Sequence, residues 1–161
     1  MSKILVVDDH PIFRMGMSEL INQEQEFTVC AVAEDINSAR KAMREHKPDM
    51  AIIDISLAGD NGLDLVKEIS ADNQSFPILV LSMHDEIVWA ERAIRAGARG
   101  YIMKKEASDS IISAIRNVLR GKVHVSEPVM SQLLNRFHVN PNCQGAETVD
   151  ILTDRELEVF R

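Results

Sequence analysis

The chain has 161 residues, enough for one full domain and short of two. It is 45% apolar and 27% charged, an ordinary mix for a soluble globular protein, and its net charge of −7 argues against a broad basic surface for nucleic acid. Two cysteines, Cys30 in an apolar run and Cys143 in a Pro/Asn/Gly-rich stretch, give no disulfide framework; Cys30 is expected in the core and a reducing cytoplasm is the simple reading. The first ten residues read as a strand rather than a signal peptide, and no apolar run approaches the roughly 18 residues of a membrane span, so no membrane partner is expected.

Ile4 to Val7 is a short, β-branched apolar run, suited to a strand buried on both faces. Pro11 then opens a helix, for which Ile12, Met15 or Gly16, and Leu20 are the expected buried stripe. Phe27 to Ala33 reads as a second strand. A helix follows over about Ile36 to Glu45, with Asn37 or Ser38 near its start, and Lys47-Pro48 breaks it. Met50 to Ile53 is a third apolar strand, ending at Asp54. Gly59, Asp60, Asn61 and Gly62 mark a loop, and Leu63 to Ser70 a helix. Ile78 to Leu81 forms a fourth strand ending at Ser82. A helix from about Glu86 to Ala96 stops at Gly97, and Gly100 to Met103 is a fifth strand ending at Lys104. Ser108 is the expected N-cap of a helix to Leu119, with Gly121 as its stop.

Short apolar strands alternating with helices predict an α/β fold, a doubly wound five-stranded parallel sheet with five helices. With the flavodoxin-like order 2-1-3-4-5, ligands bind beyond the carboxyl ends of the strands, where the order reverses. Residues 1–121 form this domain. Residues 122–150 read as a linker with a possible extended piece at Lys122 to Val125 and an amphipathic helix at about 127–137, apolar at Val129, Met130, Leu133, Leu134 and Phe137. Thr153 and Glu156 form a capping box at the start of a helix that breaks off at Arg161, which suggests a chain cut within a longer protein.

The strand ends carry the chemistry. Asp8 and Asp9 follow strand one, Asp54 strand three, Ser82 strand four and Lys104 strand five, and the predicted order brings all five to one edge. Each alone has a bland reading, as a turn residue or a solvated charge; their joint placement does not. Three carboxylates in one cleft repel one another unless a hard divalent cation joins them, and Mg²⁺ takes such oxygen ligands, with the Ser56 carbonyl as a further one. A carboxylate is a covalent acceptor of phosphoryl groups, for which Lys104 supplies a point charge and Ser82 a hydroxyl donor.

The segments ILVVDDHPIFRMGM, DMAIIDISLAGDNGLDLVKEI, PILVLSMHDE and AGARGYIMKKEAS resemble the receiver domain of two-component response regulators, in particular the NarL/LuxR-type branch, whose acidic pair is followed by His-Pro. The resemblance covers residues 3 to about 121. It implies that Asp8 and Asp9 bind Mg²⁺, that Asp54 is phosphorylated by a histidine kinase or a small acyl phosphate, that Lys104 contacts the phosphoryl group, and that Ser82 and Tyr101 are switch residues. Ser56 and His84 occupy positions that tune the lifetime of the acyl phosphate. LTDRELEVFR resembles the opening of a LuxR-type helix-turn-helix domain at 151–161, so DNA is expected to bind the full-length protein and not this stretch, with a homodimer possible on activation. Lys105 stands where many receivers have proline, which puts the usual cis peptide in doubt.

Two other classes compete with this switch, which is not a turnover enzyme. A phosphatase of the haloacid-dehalogenase kind would carry Asp-x-Asp after strand one, and this chain has Asp8-Asp9-His10. An interaction module that is never phosphorylated would not need a complete acidic site.

Overall fold

Along Ser2–Val7 (β1) side chains alternate, Ile4 and Val6 to one face and Leu5 and Val7 to the other, and all four are buried. Such a strand must lie inside a sheet covered on both sides. The structure, a computed structural model, describes residues 1–57, 59–83 and 87–139, with side chains to 135. His84, Phe137, the linker beyond Val139 and the segment 151–161 therefore lie outside what is described.

Phe27–Ala33 (β2), Met50–Asp54 (β3), Ile78–Ser82 (β4) and Gly100–Met103 (β5) complete a five-stranded sheet. All pairs are parallel, in the order β2-β1-β3-β4-β5, as expected. Pro11–Asn22 (α1) and Ala107–Leu119 (α5) cover one face. Ile36–His46 (α2), Gly62–Asp72 (α3) and Ile87–Ala96 (α4) cover the other. A small antiparallel ladder, Ser56–Leu57 with Asp60–Asn61, links β3 to α3. A 3₁₀ turn at Lys104–Glu106 links β5 to α5, and Glu127–Val139 is a further helix, α6.

Several details differ from the sequence reading. On α1 the buried residues are Met17 and Ile21, with Phe13 and Leu20 packed beside them, while Ile12 is 86% and Met15 69% exposed. Apolar residues wrap around this helix, so their spacing alone did not select the face that meets the sheet. The N-cap of α2 is Asp35, whose carboxylate accepts from the Ser38 N–H at 2.7 Å in a reciprocal capping box; Ser38 is the third helical residue. Ser108 is not the cap of α5. The 3₁₀ turn holds the Ala107 N–H on the Lys104 carbonyl and moves the N-cap two residues earlier, to Glu106. Cys30 is only half-buried, because β2 is an edge strand. No peptide bond among the described residues is cis, the Lys104–Lys105 bond included. No helix among them is long and apolar enough to cross a membrane.

Candidate functional site

The cleft forms where the strands stop. The Asp8 N–H still bonds to the Ala33 carbonyl of β2 at 2.9 Å, so Asp8 sits at the carboxyl edge of β1. Its side chain is wholly buried and its Oδ1 accepts from the His10 N–H at 2.7 Å, a local turn that ends the strand. The Arg14 guanidinium donates to the Asp8 carbonyl. Asp54 ends β3 and is 1% exposed; its Oδ1 accepts from the Ser56 N–H at 3.1 Å. Gly62 supports this corner. Its N–H donates to Ile55 at 2.6 Å, and a Cβ there would lie 2.0 Å from the Asp54 carbonyl oxygen, so only glycine fits.

Lys104 arrives from β5 and is buried. Its Nζ lies 2.9 Å from Asp8 Oδ2 and 2.9 Å from Asp54 Oδ2, and 4.6 Å from the centre of the Phe13 ring. Both oxygen contacts are ion pairs, and Asp8 Oδ2, Asp54 Oδ2 and Asp9 Oδ1 are buried with no hydrogen-bond donor among the described residues. The half-exposed His10 ring closes the cluster. Its Nδ1 is 3.1 Å from Asp8 Oδ1, 3.0 Å from Asp9 Oδ1 and 3.1 Å from Lys104 Nζ.

Burial raises the Asp54 pKa above the ordinary carboxylate value, and the opposing attraction of Lys104 does not overcome it. Burial works to lower the Lys104 pKa, yet Asp54 and Asp8 outweigh it and hold the ammonium above its usual value. Both groups favour the protonated form, Asp54 because it is buried and Lys104 because two carboxylates hold its charge. Among the described residues, Lys104 is the one permanent cation paired with these carboxylates. Ligand atoms of Asp8, Asp9, His10 and Asp54 lie within 4.8 Å of one another. This hard, mostly oxygen donor set, with orphaned buried oxygens, fits a divalent cation such as Mg²⁺.

Ser82 is buried at the end of β4, one residue past Leu81, the registry partner of Asp54. Tyr101 pairs with Val80 and is buried on the face that α4 covers. Asp8, Asp9, Asp54 and Lys104 are thus in one cluster, Ser56 is hydrogen-bonded to its rim, and Ser82 and Tyr101 lie on the strands beside it. Sequence reasoning missed three participants. His10 counted only as part of the His-Pro signature, Gly62 only as a loop glycine, and Phe13 not at all. Proximity to the acidic pair is the one signal that could have raised His10.

An acidic cleft at the switch point of a doubly wound five-stranded parallel sheet is the arrangement of a signalling receiver domain. The family described as the response regulator receiver domain matches residues 4–116, and the chain belongs to it as a two-component response regulator of the NarL/LuxR type. It is 34% identical over 162 residues to the oxygen regulatory protein NreC of Staphylococcus haemolyticus, covering 98% of this chain and 75% of that one. Among solved structures it is similar to a LuxR-family response regulator from Aurantimonas sp. SI85-9A1, with TM-score 0.77 and 31% identity over 84% of this chain and 97% of that one. It is also similar to the signal receiver domain of the response regulator NarL from Mycobacterium tuberculosis, with TM-score 0.70 and 26% identity over 75% and 98% of the two chains.

Proposed function

We propose that Asp54 is the phosphoacceptor of a Mg²⁺-dependent switch that controls a DNA-binding output. The observation that carries this reading is the buried Asp54 carboxylate, with Lys104 Nζ 2.9 Å from its Oδ2 and Asp8 sharing the same lysine. The Asp54 oxygen attacks the donor phosphorus in line. A new P–O bond forms, and the bond to the donor breaks with its electron pair on the leaving imidazole of a histidine kinase or the carboxylate of a small acyl phosphate. Asp8, Asp9, Asp54 and the Ser56 carbonyl hold Mg²⁺, which when bound neutralises charge developing on the phosphoryl oxygens. Lys104 pairs with another of these oxygens. Phe13, exposed Ile12 and an apolar groove of about 410 Å³ between α1 and α5 adjoin the cleft and offer the donor a landing surface.

In this reading Ser82 donates to the new phosphoryl group and Tyr101 follows it, so the last strands and helices take a second arrangement. Ser56 and His84 set how long the acyl phosphate lasts. Residues 1–121 are the receiver, 122–150 the linker and 151–161 the start of a LuxR-type helix-turn-helix domain, which binds DNA in the whole protein. The domain is a cytoplasmic switch, not a turnover enzyme. Incubation with Mg²⁺ and acetyl phosphate tests the reading: a mass gain of one phosphoryl is expected, prevented by EDTA and absent in Asp54→Asn. A gain that persists in Asp54→Asn sinks it.

A further inference from the structure

His10 stands at the mouth of the cleft with a side chain that does not cap its helix. It is the N-cap of α1 in extended backbone, with φ −95° and ψ 105°, and its ring makes no capping hydrogen bond. Pro11 follows at the start of the helix and has no N–H to be capped. The His10 backbone N–H donates to Asp8 Oδ1 at 2.7 Å, and the ring Nδ1 lies 3.1 Å from the same oxygen. The turn that ends β1 therefore aims this ring into the cleft.

The contacts of Nδ1 conflict with one another. The atom lies 3.1 Å from Asp8 Oδ1, 3.0 Å from Asp9 Oδ1 and 3.1 Å from Lys104 Nζ. A proton on Nδ1 suits the two carboxylates and faces the ammonium, donor against donor. A bare Nδ1 accepts from Lys104 and turns its lone pair on the carboxylate oxygens. Neither arrangement satisfies all three contacts. A dication resolves the conflict, because the bare nitrogen and the carboxylates then act together as ligands. The bare form keeps its proton on the other ring nitrogen, and the side chain is 57% exposed, so water can accept it.

The spacing fits such a role. Two atoms bound to one cation at about 2.1 Å are about 3.0 Å apart at adjacent octahedral positions and about 4.2 Å apart at opposite ones. Nδ1 is 3.0 Å from Asp9 Oδ1, 3.1 Å from Asp8 Oδ1 and 3.9 Å from Asp54 Oδ2, all inside that window. The buried oxygens point to the same place. Asp8 is 0% and Asp54 1% exposed, and each keeps an Oδ2 without a hydrogen-bond donor among the described residues.

An imidazole nitrogen changes what the cleft selects. Mg²⁺ is hard, holds oxygen ligands and gives up water reluctantly, whereas first-row transition dications gain from a nitrogen ligand. We propose that His10 is a selectivity ligand, whose Nδ1 beside Asp8, Asp9 and Asp54 makes the cleft prefer Mn²⁺ and its first-row neighbours over Mg²⁺. This selectivity rests on the dication step of the phosphoacceptor reading and adds which ion the donor set favours.

Calorimetric titration of the whole chain with Mn²⁺ and with Mg²⁺, and pulsed electron paramagnetic resonance of the Mn²⁺ form, test it. Mn²⁺ should bind about tenfold more tightly than Mg²⁺, and His10→Ala should remove most of that preference by weakening Mn²⁺ while leaving Mg²⁺ within about twofold. The echo modulation should show an imidazole nitrogen bound to Mn²⁺ in the wild type and none in His10→Ala. His10→Gln, which keeps a polar side chain without the imidazole, should behave as His10→Ala does. If both ions bind but the Mn²⁺ spectrum of the wild type shows no bound nitrogen, or either variant keeps the wild-type ratio of the two affinities, His10 is not a ligand and the phosphoacceptor reading stands. If neither ion binds, both fall.

Discussion

Lys104 Nζ and Asp54 Oδ2 stand 2.9 Å apart although β5 and β3 are separated by β4, so a buried cation is delivered to the cleft across a whole strand. The same ammonium reaches Asp8 Oδ2 at 2.9 Å. It bridges two carboxylates that belong to neighbouring strands and would otherwise repel each other.

Removing that bridge should expose its cost. Lys104→Met leaves Asp8 and Asp54 buried without a counter-charge, a change that destabilises by about 3 kcal/mol. Urea denaturation without Mg²⁺ should show the loss, and saturating Mg²⁺ should recover most of it. An unchanged midpoint in the absence of metal would mean that the two carboxylates are not ionised together.

Asp54→Asn should act in the opposite direction. It removes one of three carboxylates facing a single lysine while keeping the shape of the side chain. The urea midpoint of the metal-free protein should rise. Mg²⁺ should narrow or reverse the difference, because the wild type binds it more tightly and ligand binding stabilises the folded state. A lower midpoint for the variant without metal would contradict the excess of negative charge.

Gly62→Ala should damage both fold and site. The added carbon, 2.0 Å from the Asp54 carbonyl oxygen, must push the end of β3 or the start of α3 aside. Overpacking of this kind costs about 1–3 kcal/mol. Isothermal titration should show weaker Mg²⁺ binding as well, since Asp54 moves with its backbone. A variant of wild-type affinity would show that the corner yields without disturbing Asp54.

His124 should make the edge of the sheet sensitive to acid. Burial lowers its pKa below the ordinary value of about 6.5, so the folded protein binds this proton less readily than the unfolded chain. The unfolded state gains the proton first as pH falls, and its contribution to stability is complete above pH 6.5 and lost below it. Thermal unfolding at pH 7.5 and pH 5.5, compared with His124→Gln, should show a larger acid loss in the wild type, reckoned around an ordinary histidine pKa of about 6.5. Parallel pH profiles for the two proteins would rule His124 out.

Most of this architecture was legible because the strands are buried on both faces. Runs such as Ile4–Val7 and Met50–Ile53 have little alternative to a central parallel strand, and the polar residue that ends each run marks the edge of the sheet. The helix surfaces were less legible. The apolar residues of α1 wrap around it, and only the sheet decides that Met17 and Ile21 go inward while Ile12 goes out. At the cleft, residues with a charge at a strand end could be named in advance. Gly62 and Phe13 could not, since their roles are a close approach of backbone and a ring beneath a lysine, which no spacing rule announces. The return of His124 to β5 was visible only as an extended piece, because its partner lies across a full helix in sequence.

The central claim is that Asp54, among the three clustered carboxylates, takes the phosphoryl group. Phosphorylation with acetyl phosphate and Mg²⁺, followed by borohydride reduction and peptide mass spectrometry, reads it directly. Reduction of an acyl phosphate converts that aspartate to homoserine. Homoserine is expected at position 54 alone, with none in samples made without Mg²⁺. Homoserine at Asp8 or Asp9, or none at any of the three, would contradict it.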